Sequence, residues 1–223
     1  MRFLQCVLAE WALVAPRITR TRLGVSLLAL GLALVWLGMR GLDPYSVALL
    51  AGSLGAIVAA AGIAGTDNER RALTTALGHP TTPLAVAAGR WVALTAPALV
   101  LVVVCTLATG WNPGAAAAGL VAAGAGGSCA LAAVIPLGTS AALGLFLLMA
   151  LAGAIAPERL VALAHPGVVR LAAASALELG PALWHYRGVG DGDWGALLHA
   201  LAWTALGILL ASAGIGRRRA AHR

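Results

Sequence analysis

Apolar residues fill this chain in long runs that short polar stretches interrupt. A run of about 20 apolar residues is long enough for a helix to cross the hydrocarbon core of a bilayer. Six runs of roughly this length predict an all-α integral membrane protein with six transmembrane helices. The predicted spans cover residues 23–39, 44–64, 91–110 and 195–216, and two more lie within 115–156.

The stretch 115–156 carries no charge and is too long for a single span. We place the turn between its two spans near Pro136–Ser140, where proline and glycine interrupt the apolar run. The first of these two spans is predicted to pack closely against its neighbours, because small residues let helix backbones approach in lipid. The small residues in question are Gly119, Gly124, Gly126 and Gly127.

Residues 2–15 combine an apolar stripe with a polar side, which predicts an amphipathic helix lying in the membrane interface. The stripe consists of Leu4, Val7, Leu8, Trp11 and Val14. A basic linker then leads to the first span, and it is expected on the cytoplasmic side. Its arginines are Arg17, Arg20 and Arg22.

The charged segment Thr66–Arg90 separates the second and third predicted spans. Its first residues fit a capping box, in which Glu69 reaches back to the helix start. The short helix that follows presents Leu73 and Leu77 on one face, four positions apart. A second helix start is predicted at Thr82–Pro83, because proline suits the first position of a helix.

The segment 157–194 is polar by the standard of this chain and separates the last two predicted spans. Prolines at 166 and 181 divide it into helix-like pieces. Its aromatic residues Trp184, Tyr186 and Trp194 fit a belt at the membrane interface. After the last span, residues 217–223 form a basic tail.

Composition agrees with membrane insertion, since 61% of the 223 residues are hydrophobic and only 10% are charged. All 15 basic residues are arginines. A Walker A phosphate loop requires lysine, so this chain does not bind and hydrolyse ATP through one. The net charge of +7 reflects arginines that flank the predicted spans, and no stacking platform for nucleic acid accompanies them.

The arginines also indicate an orientation for the chain. With both termini and the segment 66–90 in the cytoplasm, 11 arginines lie inside and 4 outside. This distribution follows the positive-inside rule. We therefore expect a multi-pass protein of the plasma (inner) membrane whose termini are both cytoplasmic.

No constellation of residues predicts catalysis, a cofactor or a metal site. His199 lies near the outer end of the last predicted span and fits an interfacial histidine. Ser128 lies in a glycine-rich stretch but lacks the glycine that intramembrane serine proteases carry after the serine. Asp191 and Asp193 fit a turn in a solvated loop. The three cysteines lack ligand spacing.

The layout as a whole resembles the membrane subunits of type-2 ATP-binding-cassette (ABC) permeases. In that family a glutamate-arginine pair, a small helix and a proline turn follow the second span. The matching residues here are Glu69, Arg70, Leu73, Leu77, His79, Pro80 and Arg90. The family often has a glycine-threonine pair in this helix and a lysine near the third span. This chain has Ala72–Thr74 and an arginine there.

The resemblance implies that the small helix is a coupling helix, which docks into a groove of a separate ATPase subunit. ATP and Mg²⁺ would be bound by that partner and not by this chain. The pathway would form between this chain and a second permease subunit, within membrane lipid. The docking residues that the resemblance implies are Glu69, Arg70, Arg71, Leu73, Leu77, His79 and Pro80.

Under this interpretation the whole chain is one permease domain of an ABC exporter. Its parts are an interfacial helix and linker (1–22), spans 1–2 (23–65), the coupling segment (66–90), spans 3–5 (91–156), an external segment (157–194), span 6 (195–216) and the tail (217–223). The haem-exporter membrane subunit of cytochrome c maturation is an alternative within the class. A small intramembrane enzyme, or an assembly subunit without transport activity, are alternatives from other classes.

Overall fold

The computed structural model describes residues 22–65, 82–138, 140–142, 144 and 180–221, together with 4–5, 7–9, 11–12 and 16. All regular secondary structure in these ranges is helical, which confirms that the fold is all-α. We number the helices in chain order. They are α1 (Arg22–Met39), α2 (Pro44–Ala60) with a π-helical continuation (Ala61–Gly65), α3 (Pro83–Ala108), α4 (Pro113–Leu137), α5 (Leu183–Tyr186) with a 3-10 turn (Arg187–Asp191), and α6 (Trp194–Ala221).

Three helices begin with a capping side chain followed by proline. The side chain accepts a hydrogen bond from a backbone amide of the first turn. Proline has no backbone N–H, so it leaves no donor unsatisfied at the first helical position. The cap at Thr82 confirms the helix start predicted at that position. The three bonds run from Ser46 N to Asp43 at 3.1 Å, from Ala85 N to Thr82 at 3.3 Å, and from Ala115 N to Asn112 at 3.0 Å.

Helices α2 and α4 form the centre of the bundle and pack more extensively on each other than on any other helix. Their backbones meet where Gly52 faces Gly119. A β-carbon on Gly119 would stand 2.6 Å from the carbonyl oxygen of Ala48. Helix α3 covers both central helices, α1 packs on α2, and α6 packs on α4.

The prediction of close packing along α4 is right at some glycines and wrong at others. A β-carbon on Gly127 would stand 2.7 Å from Leu94 Cδ1, so that position also requires a small residue. At Gly124 and Gly126 the nearest atoms of the described residues would be 3.8 and 3.6 Å away, which is ordinary contact. The glycine content identified the helix that packs closely. Which glycines have no room for a side chain depends on the atoms of the neighbouring helices that face them.

The bundle has two ends of different composition. At the arginine end, Leu23 of α1 contacts Gly62, and Arg218 of α6 donates a hydrogen bond to the carbonyl of Ile135 in α4. At the aspartate end, Arg187 pairs with Asp43, before the start of α2. Helices α1 and α3 thus run from the arginine end to the aspartate end, and α2, α4 and α6 run back.

Four of the described helices are long and apolar enough to cross a membrane. They span residues 44–63, 83–108, 113–137 and 194–218. The predicted first span, Leu23–Met39, is also an apolar helix but is shorter than these four. The fifth predicted span lies almost entirely outside the described residues. The break expected near Pro136–Ser140 is found after Leu137, where Gly138 has a φ of 78°.

Two helices extend beyond the spans predicted for them. The third span is predicted to begin at Trp91, with Arg90 as the last residue of the charged segment. Helix α3 instead begins at Pro83 and includes Arg90, whose side chain is only 4% exposed. The arginine was a misleading boundary, because packing against neighbouring helices covers it. Likewise α6 continues through Ala221, so the start of the basic tail is helical.

Candidate functional site

The predicted docking residues, from Glu69 to Pro80, lie outside the described residues. Their flanks are described. The π-helical end of α2 precedes them, and the capped start of α3 follows them. Pro83 lies 3.9 Å from a β-carbon position on Gly216 of α6, so the start of α3 lies at the arginine end. The charged segment is therefore attached to the bundle at that end.

Charge separates the two ends of the described bundle. The arginine end carries Arg22, Arg90, Arg217, Arg218 and Arg219, and no acidic residue lies there among those described. The aspartate end carries Asp43, Asp191 and Asp193 together with Arg40 and Arg187. Two arginines against three aspartates leave the aspartate end with a formal charge of −1. Five arginines at one end against two at the other is the bias that the positive-inside rule describes.

A small structure covers the aspartate end, and we call residues 180–193 the cap. It consists of α5 and the 3-10 turn, which folds back so that Asp193 N donates to the carbonyl of Gly188 at 2.8 Å. Gly192 makes this reversal with a φ of 82°, a conformation that favours glycine. The carboxylate of Asp193 then caps α6, accepting from Gly195 N at 2.8 Å. The predicted turn at these aspartates is confirmed.

The cap is tied to the α1–α2 turn by Arg187. Its guanidinium pairs with the Asp43 carboxylate and donates to Ser46 Oγ at 2.8 Å. Asp43 is also the N-cap of α2, so the same carboxylate orders the helix start and holds the cap. Both partners are about half exposed, at 50% and 47%, and the pair is therefore a positioning contact of small net energy.

A second attachment joins the cap to α4 with almost no space between backbones. A β-carbon on Gly190 would stand 2.8 Å from the carbonyl oxygen of Gly114 and 2.6 Å from the hydroxyl of Tyr45. Gly114 is under the same steric constraint, since a β-carbon on it would lie 2.6 Å from the Tyr45 hydroxyl. Tyr45 of α2 thus contacts both glycines. The cap, α4 and α2 therefore meet at a point where Gly190 and Gly114 leave no room for a side chain.

The third attachment is a group of histidines and aromatic residues between the cap and α6. The rings of His185 and His199 stack, with centroids 5.5 Å apart and planes 20° apart. Trp203 Nε1 donates to His199 Nε2 at 3.1 Å. On the other side of the pair, His185 Nε2 lies 3.7 Å from the Asp193 carboxylate. Trp184 stacks on His185, with ring centroids 5.0 Å apart.

The predicted aromatic belt is only partly found at this end. Trp194 is 74% exposed, as an interfacial tryptophan would be. Tyr186 is instead fully buried and contacts His199, with ring centroids 5.8 Å apart. Burial raises the pKa of Tyr186, because ionisation would place a charge in an apolar site. The belt interpretation failed here because α5 turns its phenol inward against α4 and α6.

Sequence reasoning missed the contact between His185 and His199. The two lie fourteen positions apart, and His199 alone reads as an interfacial histidine. Only the reversal at Gly188–Gly192 brings α5 back beside the first turns of α6. The Arg187–Asp43 pair, 144 positions apart, likewise has no local signal in the sequence.

Ser128, the serine of the glycine-rich stretch, lies inside the bundle between α4 and α6. Ser128 is fully buried, and its hydroxyl lies 3.0 and 3.3 Å from the carbonyl oxygens of Ala125 and Trp203. It joins α4 to α6 at a point where Gly207 makes room, since a β-carbon there would stand 2.6 Å from Ser128. Among the described residues no group of three or more His, Cys, Asp or Glu could hold a metal ion.

An apolar groove runs between α1 and α3, with a volume of about 560 Å³. Leu28 and Leu32 line one wall, and Pro97 and Val100 line the other. Trp11 of the N-terminal segment also lines it. Pro97 lies within α3 and supplies no backbone N–H there. A surface of this kind suits the acyl chains of lipid.

Comparison with known proteins provides no relative from which to transfer a function. No family model, no curated protein and no solved structure matches this chain.

Proposed function

We propose that this chain is the permease subunit of an ABC exporter, with six membrane spans and ATP hydrolysed on separate ATPase subunits. The observation that supports it best is how the charged segment is attached. It connects α2 to α3, and both helices pack on α4 at the centre of the bundle. A displacement of the segment would therefore be passed directly to three helices.

The composition of the segment supports a docking role. Leu73 and Leu77 lie on one face of its predicted helix, and an exposed apolar face favours a partner. Arg70 and Arg71 beside them favour an acidic surface on that partner. Both helices that flank the segment meet it at the arginine end, which the positive-inside rule assigns to the cytoplasm, where ATPase subunits work.

In this proposal two permease subunits form the pathway between them. ATP and Mg²⁺ bind the ATPases, and ATP shifts the permease by binding one conformation more tightly than the other. The cap lies at the outer end of the pathway. The apolar bundle and groove favour a lipophilic or amphipathic substrate.

The proposal is tested by co-purification of the tagged chain with the ABC ATPase encoded beside it. We expect Leu73→Asp combined with Leu77→Asp to abolish association, because two charges would enter an apolar contact. A matched control is Asn68→Asp combined with Thr75→Asp, which changes the charge by the same amount on the opposite helix face. Equal association of the ATPase with both variants, each correctly folded, would reject docking through this face.

A further inference from the structure

The apolar groove between α1 and α3 has a buried floor and exposed rims. Leu27 of α1 and Leu101 of α3 form the floor, and both are buried. Leu28, Leu32 and Val100 form the rims, and all three side chains are largely exposed. Because α3 is long and apolar enough to cross a membrane and α1 packs beside it, these rims face the hydrocarbon of the bilayer. The groove is therefore open sideways to lipid.

The groove exists because the two helices approach each other closely while small residues line the space beside the contact. A β-carbon on Gly31 would stand 2.8 Å from Leu101 Cδ1, so the helices touch at this point. Gly24 of α1 and Ala96 of α3 also line the groove and have little or no side chain to fill it. The described residues that line it are all apolar. Its occupant is therefore a hydrocarbon chain rather than a polar group.

The length of the groove matches one leaflet of the membrane. On α1 the lining runs from Gly24 to Val35, and eleven steps of about 1.5 Å give about 16 Å. Half of a hydrocarbon core of about 30 Å is about 15 Å. A transmembrane helix of a second copy would present about 30 Å of apolar surface, about twice the length that the groove accommodates. The length favours a single acyl chain over such a helix.

The charges at the two ends of α1 determine which headgroup suits this chain. The groove begins two residues after Arg22, the first residue of α1, and ends five residues before Arg40. It thus comes closest to the arginine end, where the described residues include five arginines and no acidic residue. At the other end the Arg40 guanidinium lies over the Trp36 ring, 4.9 Å from its centroid, and three aspartates lie at the same end. An anionic phosphate is therefore favoured at the arginine end.

Trp11 provides a second indication of where the headgroup lies. It lines the groove and packs on the core cluster that includes Leu23 and Leu27, near the start of α1. Tryptophan is enriched where the hydrocarbon meets the headgroups, because its ring is amphipathic. An acyl chain in the groove would therefore leave its headgroup at the level where α1 begins.

We propose that the α1–α3 groove binds one anionic phospholipid. One acyl chain lies along the groove with its methyl end towards Val35 and Val104, and the phosphate lies at the arginine end. The lipid belongs to the leaflet on that side, which the positive-inside rule assigns to the cytoplasm. The site depends on α1 and α3 alone, so it holds whether or not an ATPase acts on this chain.

Photocrosslinking of the full chain in nanodiscs locates the lipid. The nanodiscs contain equal amounts of phosphatidylglycerol and phosphatidylcholine, and in separate preparations one or the other carries a diazirine in an acyl chain. We expect phosphatidylglycerol to label residues 24–35 and 96–104 about fivefold more than phosphatidylcholine does, the preference that one arginine gives at a membrane surface.

The exposed apolar face of α6, around Leu201 and Leu209, is the internal reference and should be labelled equally by both lipids. Equal labelling of the groove by the two lipids would overturn the proposal. Labelling of the groove no stronger than that of α6 would also overturn it, since annular lipid alone would account for both.

Variants separate the acyl chain from the headgroup. Ala96→Trp fills the groove and should abolish its excess labelling, whereas Leu107→Trp places the same ring on an exposed part of α3 outside the lining and should not.

Arg22→Gln should remove the fivefold preference for phosphatidylglycerol while the groove is still labelled. Its control is Arg217→Gln, an exposed arginine of α6 at the same end. The substitution at position 22 leaves the packing of the groove unchanged, so it tests the site even if the ring at position 96 disturbs α3. A full preference in Arg22→Gln, or full groove labelling in a correctly folded Ala96→Trp, would refute the site.

Discussion

Arg187 and Asp43 show how single residues tie together parts of the chain that are distant in sequence. The pair lies at the surface, where side-chain entropy and solvent screening reduce its net contribution to less than about 1 kcal/mol. Asp43 has a second role as the N-cap of α2, and a cap contributes about 1 kcal/mol. The two residues should therefore differ in their effect on stability although they form one ion pair.

Replacement of each partner by alanine separates these roles. We expect Asp43→Ala to lower the free energy of unfolding by about 1 kcal/mol more than Arg187→Ala does, because only Asp43 caps a helix. Thermal unfolding in detergent measures the difference, and Asp191→Ala is the control for loss of an exposed carboxylate. An equal loss in both variants would contradict the capping role.

At the scale of the elements, local chemistry determines where helices begin, and tertiary contacts determine which of their residues are buried. The start at Thr82–Pro83 is predictable from the sequence, because a capping side chain and proline act within one turn. Arg90 is not readable in the same way. Its charge suggests the edge of a membrane span, whereas its 4% exposure results from the helices packed around it.

The α2–α4 contact offers a prediction with an internal control. Gly119→Ala would place a methyl group 2.6 Å from the Ala48 carbonyl oxygen and 2.8 Å from Val102 Cγ1, so we expect a loss of about 1–3 kcal/mol. In Gly124→Ala the new methyl group meets no atom of the described bundle nearer than 3.8 Å, so stability should be unchanged or rise by up to about 1 kcal/mol. Denaturant titration of the two variants measures both effects, and a larger loss for Gly124→Ala would refute the packing described.

At the scale of the whole molecule, the sequence predicted an all-helical membrane protein but not how its ends are closed. Long apolar runs suffice for the helices, since the bilayer imposes their length and composition. The cap could not be predicted. Its three attachments join residues from four separate parts of the chain, and none of these contacts leaves a periodic signal.

We assign a different role to each end of the bundle. The arginine end bears the charged segment through which we propose that an ATPase acts, and the aspartate end bears the cap. This division of roles holds only if the two ends face opposite sides of a membrane. The central claim is therefore a statement about topology, and it can be tested without knowing the substrate.

Cysteine labelling in intact cells tests this claim most directly. In a chain whose three native cysteines are replaced by serine or alanine, Asp191→Cys and Thr75→Cys are compared with a reagent that does not cross membranes. We predict that position 191 reacts in intact cells, whereas position 75 reacts only after the membrane is opened. Labelling of both positions from the same side, or of position 75 alone in intact cells, would contradict the account.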